Sequence, residues 1–203
     1  MTIQELLYRG SVQIIKKISF RISHLRTEIV FKCLGIPHKH FETKGVPYIS
    51  KARTGRIVIG NFFRMNNGVV GNPIGSFDRC TFFVDSDADL IIGDNVGISQ
   101  TALVSHCKIK IGDNVRIGGG TVVYTTDFHS LDPNERISHH DAKYRKCAPV
   151  EIKDNVFIGA RCIILKGVTI GENSVVGAGS VVTKSIPSNQ IWAGHPAKFI
   201  RNL

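Results

Sequence analysis

The segment spanning residues 126–152 contains the side chains best suited to proton transfer. It reads DFHSLDPNERISHHDAKYRKCAPVE after Thr-Thr and includes three histidines, His129, His139 and His140. An imidazole with an ordinary pKa of about 6.5 can accept a proton from a hydroxyl group at neutral pH. Asp127 precedes His129 by two residues and would lie on the same side of an extended stretch, where its carboxylate could orient the ring.

This histidine-containing segment interrupts a six-residue repeat. Before it the chain reads IGDNVG, ISQTAL, then IGDNVR, IGGGTV and VYTTDF; after it the frame runs as IKDNVF, IGARCI, ILKGVT, IGENSV and VGAGSV. An aliphatic residue opens each hexad, and the fifth place is small or β-branched except at Asp127. Because an excursion from a regular scaffold can present polar side chains without entering the core, we expect the interruption to be functional.

The six-residue period predicts an all-β solenoid, a parallel β-helix. A short strand points the first residue of the hexad inward, the next residues turn a corner of about 120°, and the small fifth residue fits the narrow interior. Three hexads then close one triangular coil. Gly in the second place and Asp-Asn in the third and fourth supply the backbone conformations that the corners need.

The repeat divides the chain into three parts. We expect the β-helix over residues 57–186, with an excursion loop at 127–149, and a short C-terminal tail at 187–203. Residues 1–56 form an N-terminal extension in which apolar residues recur at spacings of three and four, as in an amphipathic helix with a basic opposite face. Two interpretations stay open for this helix: it packs on the first coil or on a neighbouring subunit, or it binds a membrane surface.

The net charge of +10 is concentrated in the extension. Residues 1–56 contain 11 Lys and Arg against 3 Asp and Glu, whereas the remainder contains 15 against 13. No recognition helix, zinc finger or RNP signature accompanies the basic segment, so nucleic acid is not an expected partner.

Apolar runs and cysteines in the sequence predict the cellular compartment of the protein. No apolar run approaches the roughly 18 residues of a membrane span, and no signal-peptide pattern opens the chain, so we expect a cytoplasmic protein. The cysteines are odd in number and scattered, and we expect reduced thiols. They are Cys33, Cys80, Cys107, Cys147 and Cys162.

Three stretches resemble the hexapeptide-repeat acyltransferases. TTDFHSLDPNER is similar to the catalytic-loop motif of that family, and VFIGARCIILKGVTIGENSVVGAGSVVTKSIP with AGHPAKFIR is similar to its cofactor half. The resemblance covers about residues 57–203 and is strongest to sugar O-acetyltransferases of the maltose/galactoside and polysaccharide-biosynthesis type. It implies a left-handed coil, acetyl-CoA as cosubstrate without a metal, and a homotrimer with each site between two subunits.

The resemblance also implies roles for individual residues. His129 matches the general base that deprotonates a sugar hydroxyl. Ser99 stands where many relatives have an acceptor-binding asparagine. His106 and His139 are further candidates for the acceptor pocket, although a solvated corner histidine is the preferred interpretation of His106.

The cofactor positions follow from the same resemblance. Ala160 matches a residue whose backbone meets the pantetheine arm, and Ala178 lies one 18-residue coil later. Thr183 and Lys184 match a further contact to the cofactor. Lys198 and Arg201 match cations suited to the CoA phosphates. The family usually has Arg at the place of Lys198. A lysine there cannot make the bidentate phosphate contact of an arginine.

Two functions from other classes compete with acetyl transfer. A γ-carbonic-anhydrase-like enzyme shares the fold but needs histidines that converge on zinc, and its closely spaced histidine pair is missing from the coils. A non-catalytic scaffold or binding protein is possible because a β-helix is stable without chemistry, but His129 within a frame-breaking loop argues against it. The sequence does not identify the acceptor.

Overall fold

The structure, a computed structural model, describes residues 2–74 and 78–203. The helices are α1 (Ile3–Cys33), α2 (Gly68–Gly71), α3 (Pro133–Arg136) and α4 (Asp141–Tyr144). The strands are β1 (Phe41–Lys44), β2 (Tyr48–Lys51), β3 (Arg56–Ile59), β4 (Phe63–Asn66), β5 (Thr81–Val84), β6 (Asp89–Ile92), β7 (Gly97–Ser99), β8 (Ala102–Ser105), β9 (Lys108–Ile111), β10 (Arg116–Ile117), β11 (Val122–Tyr124), β12 (Val150–Ile152), β13 (Phe157–Ile158), β14 (Ile163–Ile164), β15 (Thr169–Ile170), β16 (Val175–Val176), β17 (Val181–Val182), β18 (Gln190–Gly194) and β19 (Ala197–Asn202).

Successive strands enter three sheets in turn. Sheet A runs in the order β1-β4-β7-β10-β13-β16-β18-β19, sheet B contains β2, β5, β8, β11, β14 and β17, and sheet C contains β3, β6, β9, β12 and β15. Strands stack in parallel on the strand one turn later, so that Ile98, Ile117, Ile158 and Val176 pair in one column. The chain therefore winds around three sides, in agreement with the triangular coil predicted from the hexads.

Side chains at the first and fifth places of the hexads fill the interior, as the sequence predicts. The opening aliphatic residues, such as Ile117 and Ile158, are at most 3% exposed, and the fifth-place residues Val115, Val156 and Cys162 are at most 1% exposed. Burying one such aliphatic side chain stabilises the fold by roughly 1.5–3 kcal/mol. Each coil thus adds a layer to a continuous apolar core.

A ladder of asparagines explains the Asp-Asn pair of the hexads. At the corner between sheets C and A, the CA corner, five asparagines have φ between 53° and 61°, a left-handed conformation that Asn tolerates well. Each side-chain amide in the ladder donates to the next Asn side chain at 2.8–3.1 Å. The members are Asn95, Asn114, Asn155, Asn173 and Asn189. This corner is therefore repeated in register along the coil.

Parallel pairing extends beyond both ends of the predicted repeat. β1 begins at Phe41, within the segment assigned to the helical extension, because Phe41 and Phe63 occupy the inward position without the hexad signature. At the other end, β18 continues sheet A and β19 folds back on it, so the predicted tail forms a hairpin. The division into extension, repeat domain and tail stays a prediction.

The outer face of sheet B is uncharged. Its outward side chains are Tyr48, Ser50, Thr81, Phe83, Ala102, Val104, Val122, Tyr124, Ile163 and Val181. Sheet C differs, because ion pairs such as Arg56 to Asp89 at 2.9 Å and Lys110 to Glu151 at 3.3 Å cross its outer face. Sheet B is therefore the face best suited to contact another protein surface.

Two segments leave the coil at corners. Residues 67–74, which include α2, leave the coil at the AB corner, between sheets A and B. Residues 125–149 depart at the BC corner, between sheets B and C, and include α3 and α4. A bridge between Thr126 and Cys147 closes the base of this second excursion, and the loop bounds 127–149 stay a prediction.

An ion-paired cluster fastens the excursion loop to the earlier coils. Asp85 Oδ2 lies 2.7 Å from His106 Nδ1 and accepts a hydrogen bond from Arg145 of the loop, also at 2.7 Å. Burial opposes ionisation of Asp85, but hydrogen bonds from the Ser86 N–H, His106 and Arg145 outweigh it, so the pKa of Asp85 is lowered. His106 also contacts Phe128, with ring centroids 5.9 Å apart.

We predict that Asp85→Asn lowers the free energy of unfolding by about 1–3 kcal/mol at pH 7, because a charged acceptor of three hydrogen bonds is lost. Since the folded-state pKa lies below the ordinary value of 3.8, the stabilisation is complete above that value and is lost as pH falls through the lowered pKa. The variant and the wild type should therefore converge in acid. Urea unfolding at pH 7 and near pH 3 measures this, with the exposed Asp87→Asn in the same turn as control. Equal stability of Asp85→Asn and wild type at pH 7 would contradict the anchoring role.

Candidate active site

His129 is held by a carboxylate of its own loop. Its Nδ1 lies 2.5 Å from Asp141 Oδ2, and the other carboxylate oxygen accepts a hydrogen bond from the Ser130 N–H at 2.7 Å. The Ser130 N–H and the His129 ring hold the pKa of the Asp141 carboxyl below its ordinary value. Asp141 is therefore ionised at neutral pH.

The charge on Asp141 fixes the tautomer of His129. An ionised carboxylate can only accept hydrogen bonds, so Nδ1 must bear the proton that it donates to Asp141. In the neutral ring Nε2 then presents a lone pair, and the His129 side chain is 69% exposed. This arrangement is that of a general base whose orientation is set by a carboxylate.

The orienting role predicted for Asp127 belongs to Asp141 instead. Asp127 Oδ1 accepts a hydrogen bond from Lys166 Nζ at 2.6 Å. Phe128, between Asp127 and His129, has a φ of 66°, so the stretch is not extended and the two side chains do not share one side. The second oxygen of Asp127 is buried and accepts no hydrogen bond from the described residues. A catalytic role for Asp127 stays a prediction.

The other two candidate histidines differ sharply in exposure. The His106 side chain is 7% exposed and paired with Asp85, so it is not the solvated corner residue that the sequence suggested. Its contact with Phe128 instead supports the backbone next to His129. His139 is exposed on the loop. Contacts of His106 and His139 to the acceptor stay predictions.

Ser99 lies at the AB corner, away from the BC corner where the loop departs. It is 8% exposed, and its Oγ accepts a hydrogen bond from Asn66 Nδ2 at 3.1 Å. The following Gln100 donates to the carbonyls of Gly68 and Asn72 at 3.0 and 3.1 Å and so holds the shorter excursion. The acceptor-binding role of Ser99 stays a prediction.

Ala160 and Ala178 form a column at the AB corner, as their 18-residue spacing predicts. The Gly179 N–H donates to the Ala160 carbonyl at 2.8 Å, which fixes one turn above the other. The N–H groups of Ala160 and Ala178 donate no hydrogen bond within the described chain, and Ala178 is exposed. Two unused donors beside small side chains fit the amide carbonyls of a long thin ligand such as pantetheine.

The remaining cofactor candidates lie at two places. Thr183 and Lys184 follow β17 and are exposed at the BC corner, on the same side as Lys166. Lys198 and Arg201 are exposed on β19, where Lys198 pairs with Ala193 and Arg201 with Ile191. Their cationic groups are suited to phosphate, but their contacts to a cofactor stay predictions.

The structure therefore places most of the predicted residues in two groups, one at each of two corners, while Lys198 and Arg201 lie apart on β19. The AB corner has Ser99 and the alanine column, and the BC corner has His129, Asp127 and the Thr183–Lys184 pair. Sheet B separates the two corners within one chain. Sequence reasoning missed Asp141, since the hexad frame gives no signal for a residue 12 positions from His129 in an irregular loop.

Within residues 2–74 and 78–203, no three His, Cys, Asp or Glu residues are grouped as a potential metal site.

Comparison with known proteins identifies the repeat. The family described as "Hexapeptide repeat of succinyl-transferase" matches residues 149–184. Galactoside O-acetyltransferase of Escherichia coli is 39% identical over 121 residues, which are 55% of this chain and 56% of that enzyme. The chain spans between 44% and 63% of the length of the curated relatives that it matches at comparable similarity.

Solved structures match a larger share of the chain. AntD, an N-acyltransferase from Bacillus cereus in complex with dTDP and 3-hydroxybutyryl-CoA, covers 86% of this chain and 87% of its own, with a TM-score of 0.65 and 27% identity. A hexapeptide-repeat acetyltransferase of Vibrio cholerae in complex with acetyl coenzyme A covers 95% and 89%, with a TM-score of 0.51 and 25% identity. The chain is therefore similar to hexapeptide-repeat acyltransferases in its repeat and in its fold.

Proposed function

We propose that this protein transfers an acetyl group from acetyl-CoA to a hydroxyl of a sugar or surface-polysaccharide precursor in the cytoplasm, with His129 as general base. The observation on which the proposal rests is the pair of His129 and ionised Asp141, which leaves Nε2 as a proton acceptor. The relatives support the donor, since the solved neighbours include complexes with CoA, acetyl-CoA and an acyl-CoA. The galactoside enzyme supports a sugar hydroxyl as acceptor. The same kinship supports a left-handed sense for the coil.

The reaction follows from the position of the proton. His129 Nε2 removes the hydroxyl proton while the acceptor oxygen bonds to the thioester carbonyl carbon. The C–S bond then breaks, and CoA leaves as a thiolate that recovers the proton from the imidazolium. Asp141 stabilises that imidazolium, because its carboxylate is already bonded to Nδ1. Holding both substrates beside His129 supplies much of the rate.

The proposal includes a homotrimer, and the uncharged sheet B supports it. If each triangular coil presents sheet B to a threefold axis, the AB corner of one protomer faces the BC corner of the next. This arrangement brings the alanine column of one protomer beside His129 of its neighbour. It also covers the apolar outer face of sheet B, which the single chain leaves partly exposed. The two groups of candidate residues would then form one site.

We predict that His129→Ala lowers kcat/KM for acceptor-dependent CoA release by about a hundredfold or more, because the general base is lost. Asp141→Asn should lower kcat by about tenfold or more with little change in the KM for acetyl-CoA, since an amide can donate to Nδ1 and favour the wrong tautomer. The assay uses a panel of sugars, nucleotide-linked sugars and amino sugars, and glycan fragments.

The matched control for these variants is His140→Ala, because His140 is exposed on the same loop and is not a candidate contact to the acceptor. It should keep most of the activity. Acceptor-dependent release that survives His129→Ala would refute His129 as the base. No release with any acceptor, together with no binding of CoA by calorimetry, would favour the non-catalytic binding protein.

A complementation experiment tests the shared site. His129→Ala blocks the BC corner, and Ala178→Trp places an indole on the exposed alanine column, so each variant alone should be inactive. Random assembly of co-expressed variants leaves about one quarter of the sites with both wild-type halves, and about one quarter of the activity should return. The two purified variants assayed together without subunit exchange serve as control. If co-expression restores nothing, each site lies within one chain.

A further inference from the structure

The apolar face of α1 points away from the coils. Only Ser23, Thr27 and Phe31 of this helix are buried, and Phe31 packs on Phe41 with ring centroids 5.0 Å apart. At 100° per residue, these three positions are centred on the side of the helix roughly 180° from Ile18. The helix therefore docks on the first coil through Phe31 and through His24, whose ring stacks on Phe41 with centroids 4.4 Å apart, and its apolar stripe is not used for that contact.

The stripe itself is exposed along most of the helix. Its large members are between 52% and 69% exposed and recur at spacings of three, four and seven, within an arc of roughly 80°. They are Leu7, Ile14, Ile18, Ile22, Leu25 and Ile29. A single exposed leucine on a surface is ordinary, whereas a continuous stripe of this kind marks an interaction surface.

The charges beside the stripe are basic. Helix α1 contains six Lys and Arg against two Glu, and Arg21 and Arg26 lie on opposite borders of the stripe. Glu28, the one acidic residue near it, is neutralised by Lys32 at 3.0 Å and lies 3.1 Å from the His38 ring. The border of the stripe is therefore cationic on both sides.

This charge pattern distinguishes between two candidate partners for the stripe, the α1 helices of other copies and an anionic membrane surface. In a bundle formed by α1 helices of several copies, the borders of neighbouring stripes face each other, and stable bundles place opposite charges there. Here like charges would meet, which is unfavourable. In an anionic lipid bilayer, the negative headgroups complement both basic borders and the apolar interior accepts the isoleucines.

We propose that α1 lies on the surface of an anionic lipid bilayer, with the stripe from Leu7 to Ile29 inserted at the headgroup boundary and with Arg21 and Arg26 at the phosphates. No helix in the described part of the chain is long and apolar enough to cross a membrane. Binding parallel to the surface is the mode that a helix with one apolar face and basic borders supports. This inference concerns a surface distant from His129 and does not depend on acetyl transfer.

Vesicle flotation with the full-length protein tests the proposal. The wild type should float with vesicles of 70% phosphatidylcholine and 30% phosphatidylglycerol, should bind pure phosphatidylcholine at least about tenfold more weakly, and should dissociate as salt is raised. Arg21→Glu with Arg26→Glu should weaken binding about tenfold or more. Ile14→Gln, Ile18→Gln and Ile22→Gln together should abolish it, and because all three side chains are exposed the coils should still fold.

The matched charge control is Lys108→Glu with Lys110→Glu on sheet C, which makes the same change in net charge away from α1. It should bind vesicles like the wild type. Absence of flotation with anionic vesicles would overturn the proposal, as would equal loss of binding in the control. Sedimentation velocity supplies the remaining outcome: if the isoleucine variant fails to bind and its oligomer dissociates, the stripe joins copies of the chain and the proposal is wrong.

Discussion

At the AB corner, consecutive coils approach so closely that a Cβ does not fit at two of the glycines. A Cβ on Gly118 would lie 2.4 Å from the Ala160 nitrogen, and a Cβ on Gly159 would lie 2.5 Å from the Ala178 nitrogen. Since such contacts are sterically forbidden, these positions require glycine. The close approach keeps each turn directly above the last, and the backbone N–H groups of the alanine column are aligned by it.

The same constraint explains where the polar chemistry is found. A tightly stacked coil has no room for additional residues, so insertions leave at corners, and the longest described one leaves at the BC corner. Asp85, His106 and Arg145 then fasten that loop to the coils. The loop in turn holds His129 through Asp141. The rigid scaffold therefore positions His129, the proposed base, through the loop.

The repeat could be predicted from the sequence because each hexad encodes the same inward residues and the same corner. The excursion loop was recognised as a break in that frame. The start of the coil at Phe41 was missed, because β1 and β4 use phenylalanine and methionine inside rather than the hexad residues. Asp141 was missed for a different reason: the positive φ of Phe128 turns Asp127 away from His129, and local spacing does not predict such a turn. The orientation of the α1 stripe also needed coordinates, since an amphipathic pattern does not say which face packs on the protein.

The central claim is that CoA binds along the AB corner of one protomer and beside the BC corner of another. Amide hydrogen exchange with and without CoA, resolved to single residues, tests it most directly. The account predicts slower exchange at Ala160 and Ala178 and, in the same experiment, at Thr183 and Lys184. Protection confined to one corner, or no protection at the alanine column, would contradict it.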